Sequence, residues 1–355
     1  MESARPKIIC LSFYDQTYSR GSVYLNSGYV KIYGLFFKKI DPGLINTLRM
    51  IYLLSKSEKP TNTIFVILSP SHVLVPLLRL FWRGKIVLDA GWPLTDAAIS
   101  RGFNLAKPWK LIKSISIDLI SFRMASKVIV ESAVQSKRIA RSFRIRENKI
   151  NVLFTGFDES SISPQEEYFP ELAKLETSKP VVAFRGSSNP ESGLDIIAEM
   201  SNLQQAEAFN LLICTNTENF NYSFSSSAFL ITRKLSKHEI IQIYRLSSVM
   251  IGQISSNKRL DYTIPHKAYE AGYFGKAYIS TDRPAIREVY FSDEAVSYKY
   301  KFDAETLLHT ILDLINNPEK RQSQERLIHH DYSERANQEL LGERFINLIL
   351  SNHSI

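Results

Sequence analysis

The chain has 355 residues, 44% of them hydrophobic, with 14 Gly and 14 Pro, which suffices for the cores of two domains and excludes a low-complexity or collagen-like protein. Its two cysteines, Cys10 and Cys214, lie in apolar strand-like runs with no CxxC pair or histidine pattern nearby, which excludes a disulfide framework and a zinc finger. The net charge of +8 is uneven: residues 1–150 hold 24 Lys+Arg against 9 Asp+Glu, the remainder 20 against 27.

Such asymmetry predicts an anionic partner for the first half, and residues 101–150 alone carry 12 basic against 3 acidic residues. Anionic lipid headgroups and a polyprenyl-pyrophosphate acceptor both fit. Nucleic acid ranks below them, because no helix-turn-helix, RNA-binding aromatic motif or zinc finger is present. The longest apolar patch, Val73 to Trp82, is broken by Arg79 and too short to span a bilayer. No signal peptide is evident, so a cytoplasmic protein is expected, able to sit on the inner face of a membrane.

In chain order, Lys7–Phe13 predicts a first buried strand, followed by the polar loop Asp15 to Gly21 at the sheet's carboxyl edge. Arg20 in that loop, with Gly21 beside it, reads on its own as a solvated arginine. Tyr29–Tyr33 predicts a second strand, Leu44–Ser55 an amphipathic helix, Thr63–Leu68 a third strand and Ser71–Phe81 a mostly buried helix. Lys85–Leu88 predicts a fourth strand, ending at Asp89 and running into a turn to Asp96. An acid directly after a buried strand, near a Gly and a Trp, is a candidate for catalysis on an acceptor; an Asp there also commonly caps a turn. Pro108–Ala125 predicts a long helix with Trp109, Ile112, Leu119 and Phe122 on one side, flanked by Lys110, Lys113 and Arg123. Its apolar side is expected against the sheet and its lysines toward anionic lipid. Lys127–Glu131 and Lys149–Leu153 predict strands around a helix at Ala133–Phe143.

Glu159–Lys179, polar and Glu-rich with two prolines, reads as linker. Pro180–Phe184 opens a second sheet and leads through Arg185, Gly186 and Ser187 to Gly193, a strand–glycine loop–helix in which backbone N–H groups can cradle a diphosphate. Strands follow at Phe209–Cys214, Phe229–Thr232 and Ser248–Ile254, with a helix at Lys237–Tyr244. Pro265–Tyr273 predicts a short helix capped by Thr263 and ended by Gly275, then a buried strand at Ala277–Ser280 and a short helix from Pro284. Lys267 and Glu270, three apart, share one helix face. They read either as a solvated ion pair or as a carboxylate for ribose hydroxyls with an ammonium for phosphate at the helix start. Helices are expected at Ala304–Asn316, Pro318–His329 and Ser333–Leu350.

The string P-H-K-A-Y-E-A-G-Y-F-G-K-A-Y-I-S-T-D from Pro265 resembles the donor-site signature of GT-B glycosyltransferases, especially glycosyltransferase family 4. A second region, VIVESAVQSKRIARSFRIRENKINVLFTGFDES, resembles the end of that family's amino-terminal domain, with Thr155 where an Asn is usual. Gly186, Gly193 and Asp195 match a third element, whose usual basic residue is here Ser192. The resemblance implies two facing Rossmann-like α/β domains with a cleft between them. It implies residues 1–160 as acceptor domain, 161–179 as linker, 180–335 as nucleotide-sugar domain and 336–355 as a helix crossing back to the first. It further implies a metal-independent hexosyl-type transferase moving a sugar from a UDP- or GDP-linked donor to a glycan or lipid-linked acceptor in cell-surface polysaccharide synthesis. No cofactor is expected, the nucleotide-sugar being substrate, and no Asp-x-Asp metal-binding pair is present.

Among the residues, the resemblance implies that Glu270 binds the ribose and that Lys267 lies near phosphate or sugar. Arg185, Gly186, Ser187 and His266 join them as donor-binding candidates, Arg20 and Gly21 as cleft candidates for phosphate or acceptor, and Asp89 as catalytic. At the position eight residues before Glu270, where retaining members carry another Glu, stands Tyr262. The alternative is a catalytically silent GT-B subunit that binds a nucleotide-sugar or a partner enzyme; a sugar-nucleotide epimerase lacks a specific acid/base constellation here.

Overall fold

The computed structural model describes residues 5–16, 20–100, 108–162, 169–216 and 222–351. Residues 17–19 of the expected loop and 163–168 of the expected linker lie outside the described residues. The chain forms two compact units, residues 1–158 with 338–355 and residues 159–337.

The first unit is built on strands β1 (Lys7–Ser12), β2 (Phe36–Lys39), β3 (Thr63–Leu68), β4 (Ile86–Gly91), β5 (Lys127–Val130) and β6 (Ile150–Val152). They form one parallel sheet in the order β2-β1-β3-β4-β5-β6. Continuous apolar runs such as TIFVIL in β3 are buried along their whole length, as strands covered on both faces require. Its helices are α1 (Arg20–Leu25), α2 (Gly28–Tyr33), α3 (Leu44–Ser57), α4 (Leu74–Arg79), α5 (Leu94–Ser100), α6 (Pro108–Met124) and α7 (Ala133–Phe143).

The second unit repeats the plan with β7 (Val181–Arg185), α8 (Leu194–Ser201), β8 (Asn210–Cys214), β9 (Phe229–Ile231), α9 (Lys237–Leu246), β10 (Val249–Ile251), α10 (His266–Tyr273), β11 (Ala277–Thr281), α11 (Pro284–Arg287), β12 (Ser297–Lys299), α12 (Ala304–Asn316) and α13 (Pro318–Arg335). Its parallel sheet runs β12-β11-β10-β7-β8-β9. The last helix, α14 (Gln338–Leu350), packs on α1 and α2 of the first unit. Phe345 stacks on Tyr24 at 4.0 Å, and the Lys127 ammonium donates to the Leu348 and Ser351 carbonyls at the helix end.

Four expectations need correction. Tyr29–Tyr33 is the helix α2 rather than a strand. Ser27 caps it through the Val30 N–H, and Glu339 of α14 accepts from the Gly28 and Tyr29 N–H groups at 2.7 and 3.1 Å. These partners satisfy N–H groups that a short helix leaves open, and the strand falls instead on the exposed Phe36–Lys39 edge. Second, β4 continues through Asp89 to Gly91, so Asp89 lies within the strand, with an irregularity in the ladder between Asp89 and Gly91. Third, α6 turns Phe122 inward but Trp109 and Ile112 outward. Fourth, the expected linker ends as packed structure, with Phe169 and Leu175 buried and a 3-10 turn at Pro170–Lys174.

Asp118 of α6 ties the region after β4 to the core. Its carboxylate meets His72 Nδ1 at 3.0 Å and accepts from the Leu94 and Thr95 N–H groups and the Thr95 hydroxyl. Asp118→Ala would strand these buried polar groups, and is expected to cost about 3 kcal/mol or more. Urea unfolding measures this; an unchanged midpoint would contradict the anchoring role.

Candidate active site

The helix α10 is short because both ends are fixed by local chemistry. Pro265 is its N-cap, so Thr263 is not; the Thr263 hydroxyl instead donates to the Arg259 carbonyl at 3.0 Å. At the other end Gly275, at φ +56°, sends its N–H to the Gly272 carbonyl, and the Lys276 N–H bonds the Ala271 carbonyl. This is the paired-bond exit that favours glycine in the left-handed region. Gly272 lies so close to α13 that a Cβ there would come within 2.8 Å of Tyr332 Cβ.

That placement buries both residues of the motif, Lys267 at 5% and Glu270 at 8% exposure. They are not paired as a surface bridge. Glu270 receives both oxygens' partners from elsewhere: Arg185 at the end of β7 donates through Nε at 3.1 Å and through Nη2, and the Tyr244 hydroxyl of α9 donates at 2.6 Å. Burial alone would raise the Glu270 carboxyl, but Arg185, helped by Tyr244, holds it below its ordinary value. Burial likewise works against the Arg185 guanidinium, and Glu270 more than offsets it, so arginine stays charged.

Lys267 is different. Its Nζ lies 3.8 Å from the centre of the Phe184 ring, makes no hydrogen bond, and sits where a Cβ on Gly186 would come within 2.9 Å of it. The amine thus rests over an aromatic face at the mouth of a glycine turn, with no hydrogen-bond partner. Burial first and Arg185 second pull the ammonium well below its ordinary pKa, with Glu270 opposing them.

The glycine loop is shaped by contact. Gly193 starts α8 at φ +71°, and a Cβ would meet Ile254 Cγ1 at 2.6 Å, so only glycine fits there. Ser192 is buried and donates to the Asn189 carbonyl at 2.7 Å. Beside it the buried Glu191 accepts from Arg259 at 3.0 Å. Ser187 and His266 are exposed. Asp261, next to Tyr262, accepts from Arg283 at 3.1 Å and is engaged away from Glu270.

In the first unit, Arg20 and Asp89 come together. Arg20 Nε lies 2.8 and 3.1 Å from the two carboxylate oxygens, and the Tyr24 hydroxyl also donates to Asp89. Arg20 reaches Thr155 as well, at 3.4 Å, and Thr155 donates to Glu131 at 2.7 Å. Asp89 is 1% exposed, so its carboxylate holds side chains in place and is not open to an incoming group. Gly21 is buried in the first turn of α1 beside Gln16. Among the described residues no cluster of three or more His, Cys, Asp or Glu is arranged to hold a metal ion.

Sequence reasoning missed Tyr244 and Phe184. Both sit at the ends of elements that the pattern places, a helix and a strand, but nothing in a one-dimensional pattern says that they converge on Glu270 and Lys267.

No family model and no curated protein matches the chain. Solved structures do resemble it. A glycosyltransferase from Rickettsia africae superposes with a TM-score of 0.70 at 14% identity, over 99% of this chain and 100% of that one. HepE from Anabaena, solved with UDP-glucose, gives 0.67 at 12% identity over 97% and 99%. Sucrose-phosphate synthase from Thermosynechococcus elongatus gives 0.69 at 12% over 97% and 98%. The fold is the GT-B one: two parallel six-stranded sheets with flanking helices, shared with glycosyltransferases along the whole chain.

The depressed lysine has a consequence for stability. Between its lowered folded value and the ordinary lysine value of about 10.4, the unfolded chain binds more protons than the folded one, so stability rises with pH across that window. Lys267→Met is expected to melt above the parent protein near pH 7, with the gap closing toward pH 10. Identical melting shifts at both pH values would mean that the amine is not desolvated.

Proposed function

We propose that this chain is a family 4-type glycosyltransferase that takes a sugar from a UDP- or GDP-linked donor. The observation that carries the reading is the buried, unbonded Lys267 amine beside Gly186, one helical turn from Glu270. A buried amine with no partner is costly unless an anion completes it, and a nucleoside diphosphate supplies one. Glu270, fixed by Arg185 and Tyr244, takes the ribose hydroxyls. The reaction breaks the bond from the anomeric carbon to a diphosphate oxygen and forms one to an acceptor hydroxyl, whose proton is lost. Negative charge grows on the departing diphosphate, where Lys267 and the α8 N-terminus stabilise it without a metal ion in this reading. The neighbour solved with UDP-glucose supports a UDP-sugar donor.

Asp89 acts in this reading as a positioning residue that holds Arg20 for an acceptor phosphate. The acceptor is a glycan or lipid-linked glycan of the cell surface, approached by a first unit whose surface is more basic than its composition. Four of the nine acids in residues 1–150, Asp89, Asp96, Asp118 and Glu131, are buried. This supports an anionic membrane as the partner of that unit.

A second reading, a nucleotide-sugar-binding subunit without turnover, is favoured by Tyr262 and Ser192, which stand where charged residues are usual in the family. Release of free UDP or GDP from a panel of sugar donors separates the two. Tight nucleotide binding with no release from any donor would decide for the silent subunit. Glu270→Gln is expected to weaken nucleotide binding by about 1–3 kcal/mol in calorimetry; unchanged affinity would remove the ribose role. In the pH window above the lowered folded value of Lys267, binding should also take up a proton there, read as a heat that scales with buffer ionisation enthalpy and disappears in Lys267→Met.

A further inference from the structure

We propose that the outward face of α6, together with the exposed ends of α3 and α4, inserts apolar side chains into an anionic phospholipid bilayer. This deepens the membrane partner of the proposed function: it turns an electrostatic attraction into a defined docking face. Helix α6 is apolar on two sides. Its inner side carries Ser121 and Phe122 with the buried Asp118, all at 0% exposure. At about 3.6 residues per turn, Trp109, Ile112, Ile120 and Met124 fall on the opposite side, at 58, 61, 42 and 41% exposure. Lys113 and Arg123 lie within that stripe and are exposed.

The stripe continues onto its neighbours. Arg79 at the end of α4 donates to the Met124 carbonyl at 2.8 and 3.2 Å, which ties the exposed Leu80 and Phe81 to the end of α6. Phe81 meets Tyr52 of α3 edge-on at 5.6 Å, and Tyr52 and Leu53 are themselves about half exposed, at 47 and 54%. An apolar surface of this extent on a soluble face marks an interaction site.

Charge identifies the occupant. Among α3, α4 and α6 the sole acidic residue is Asp118, which is buried, while Arg49, Lys56, Lys110, Lys113 and Arg123 are exposed. Long basic side chains around aromatic and aliphatic ones, with no exposed acid, match a negatively charged headgroup layer above acyl chains. A protein partner or a second copy of this chain would have to bring the acids; against itself this face would repel.

Of the three tryptophans Trp82 is buried, Trp92 half-buried and Trp109 exposed, so the signal that Trp109→Phe removes reports on the face. On adding anionic vesicles to the full chain, emission is expected to shift to the blue and to be quenched by bromine-labelled acyl chains; Trp109→Phe abolishes both. Ile112→Glu should lower partition into these vesicles roughly tenfold, and Lys113→Gln by about fivefold, with UDP binding unchanged in both variants. Part of the binding should survive high salt, because insertion is not screened as charge is. Binding that is lost entirely in salt, with Trp109 unshifted, overturns insertion while leaving the electrostatic reading. No binding to any vesicle overturns both. A reversible dimer that Ile112→Glu abolishes would assign the face to a second copy and overturn the proposal.

Discussion

The buried Lys267 sets the character of the second unit's site. An amine removed from water with only a ring face beside it favours its neutral form, yet it sits beside a guanidinium that is charged because Glu270 keeps it so. Arg185 and Glu270 neutralise one another, as do Arg259 and Glu191. Among these five groups Lys267 alone has no counter-charge. An anion brought beside Lys267 would raise the amine's proton affinity, so anion affinity and protonation would be coupled through one side chain.

The first unit uses buried charge differently. Asp89, Asp96, Asp118 and Glu131 each hold neighbouring groups: Asp89 holds Arg20 and Tyr24, Asp96 holds Arg138, Asp118 holds His72 and Thr95, and Glu131 accepts from Thr155. Acids spent in this way no longer balance the surface lysines and arginines. Scaffold and surface are thus linked: the same placements that rigidify the strand ends leave the outside basic.

Much of the fold was legible because buried parallel strands write long apolar runs, such as those of β3 and β8, and because helices announce their ends. The Pro265 start and Gly275 exit of α10 are examples. The failures are tertiary. Tyr29–Tyr33 alternates like a strand, and its helix start is completed by Glu339, more than three hundred residues away in sequence, beside the local caps Ser27 and Gly34. Asp89 looked like a residue exposed after a strand, but β4 runs past it and Arg20 and Tyr24 close over it. The two apolar sides of α6 were read as one because composition does not say which side meets the sheet. In the site, Lys267 and Glu270 were legible as a pair on one helix face, whereas Tyr244 was not: its hydroxyl reaches Glu270 only once α9 and α10 lie side by side.

The departures from the family string bear on which parts of the site are free to vary. Ser192 leaves the glycine loop without its usual cation, and the nearby Arg259 does not restore one, because Glu191 holds it at 3.0 Å. Arg185 is present, but its bonds to Glu270 commit it to orienting the carboxylate. Removing Arg185 would leave Glu270 buried with Tyr244 as its remaining hydrogen-bond partner among those described, and its pKa would rise because burial would lose its main opponent. A protonated Glu270 is a poorer acceptor for two ribose hydroxyls than a carboxylate. In the proposed function the arginine would serve the ribose end of the ligand through Glu270, leaving Lys267 as the cation available to the phosphate end. Arranged in this way, the buried groups of the site are fixed by their neighbours, whereas Ser187 and His266 are exposed.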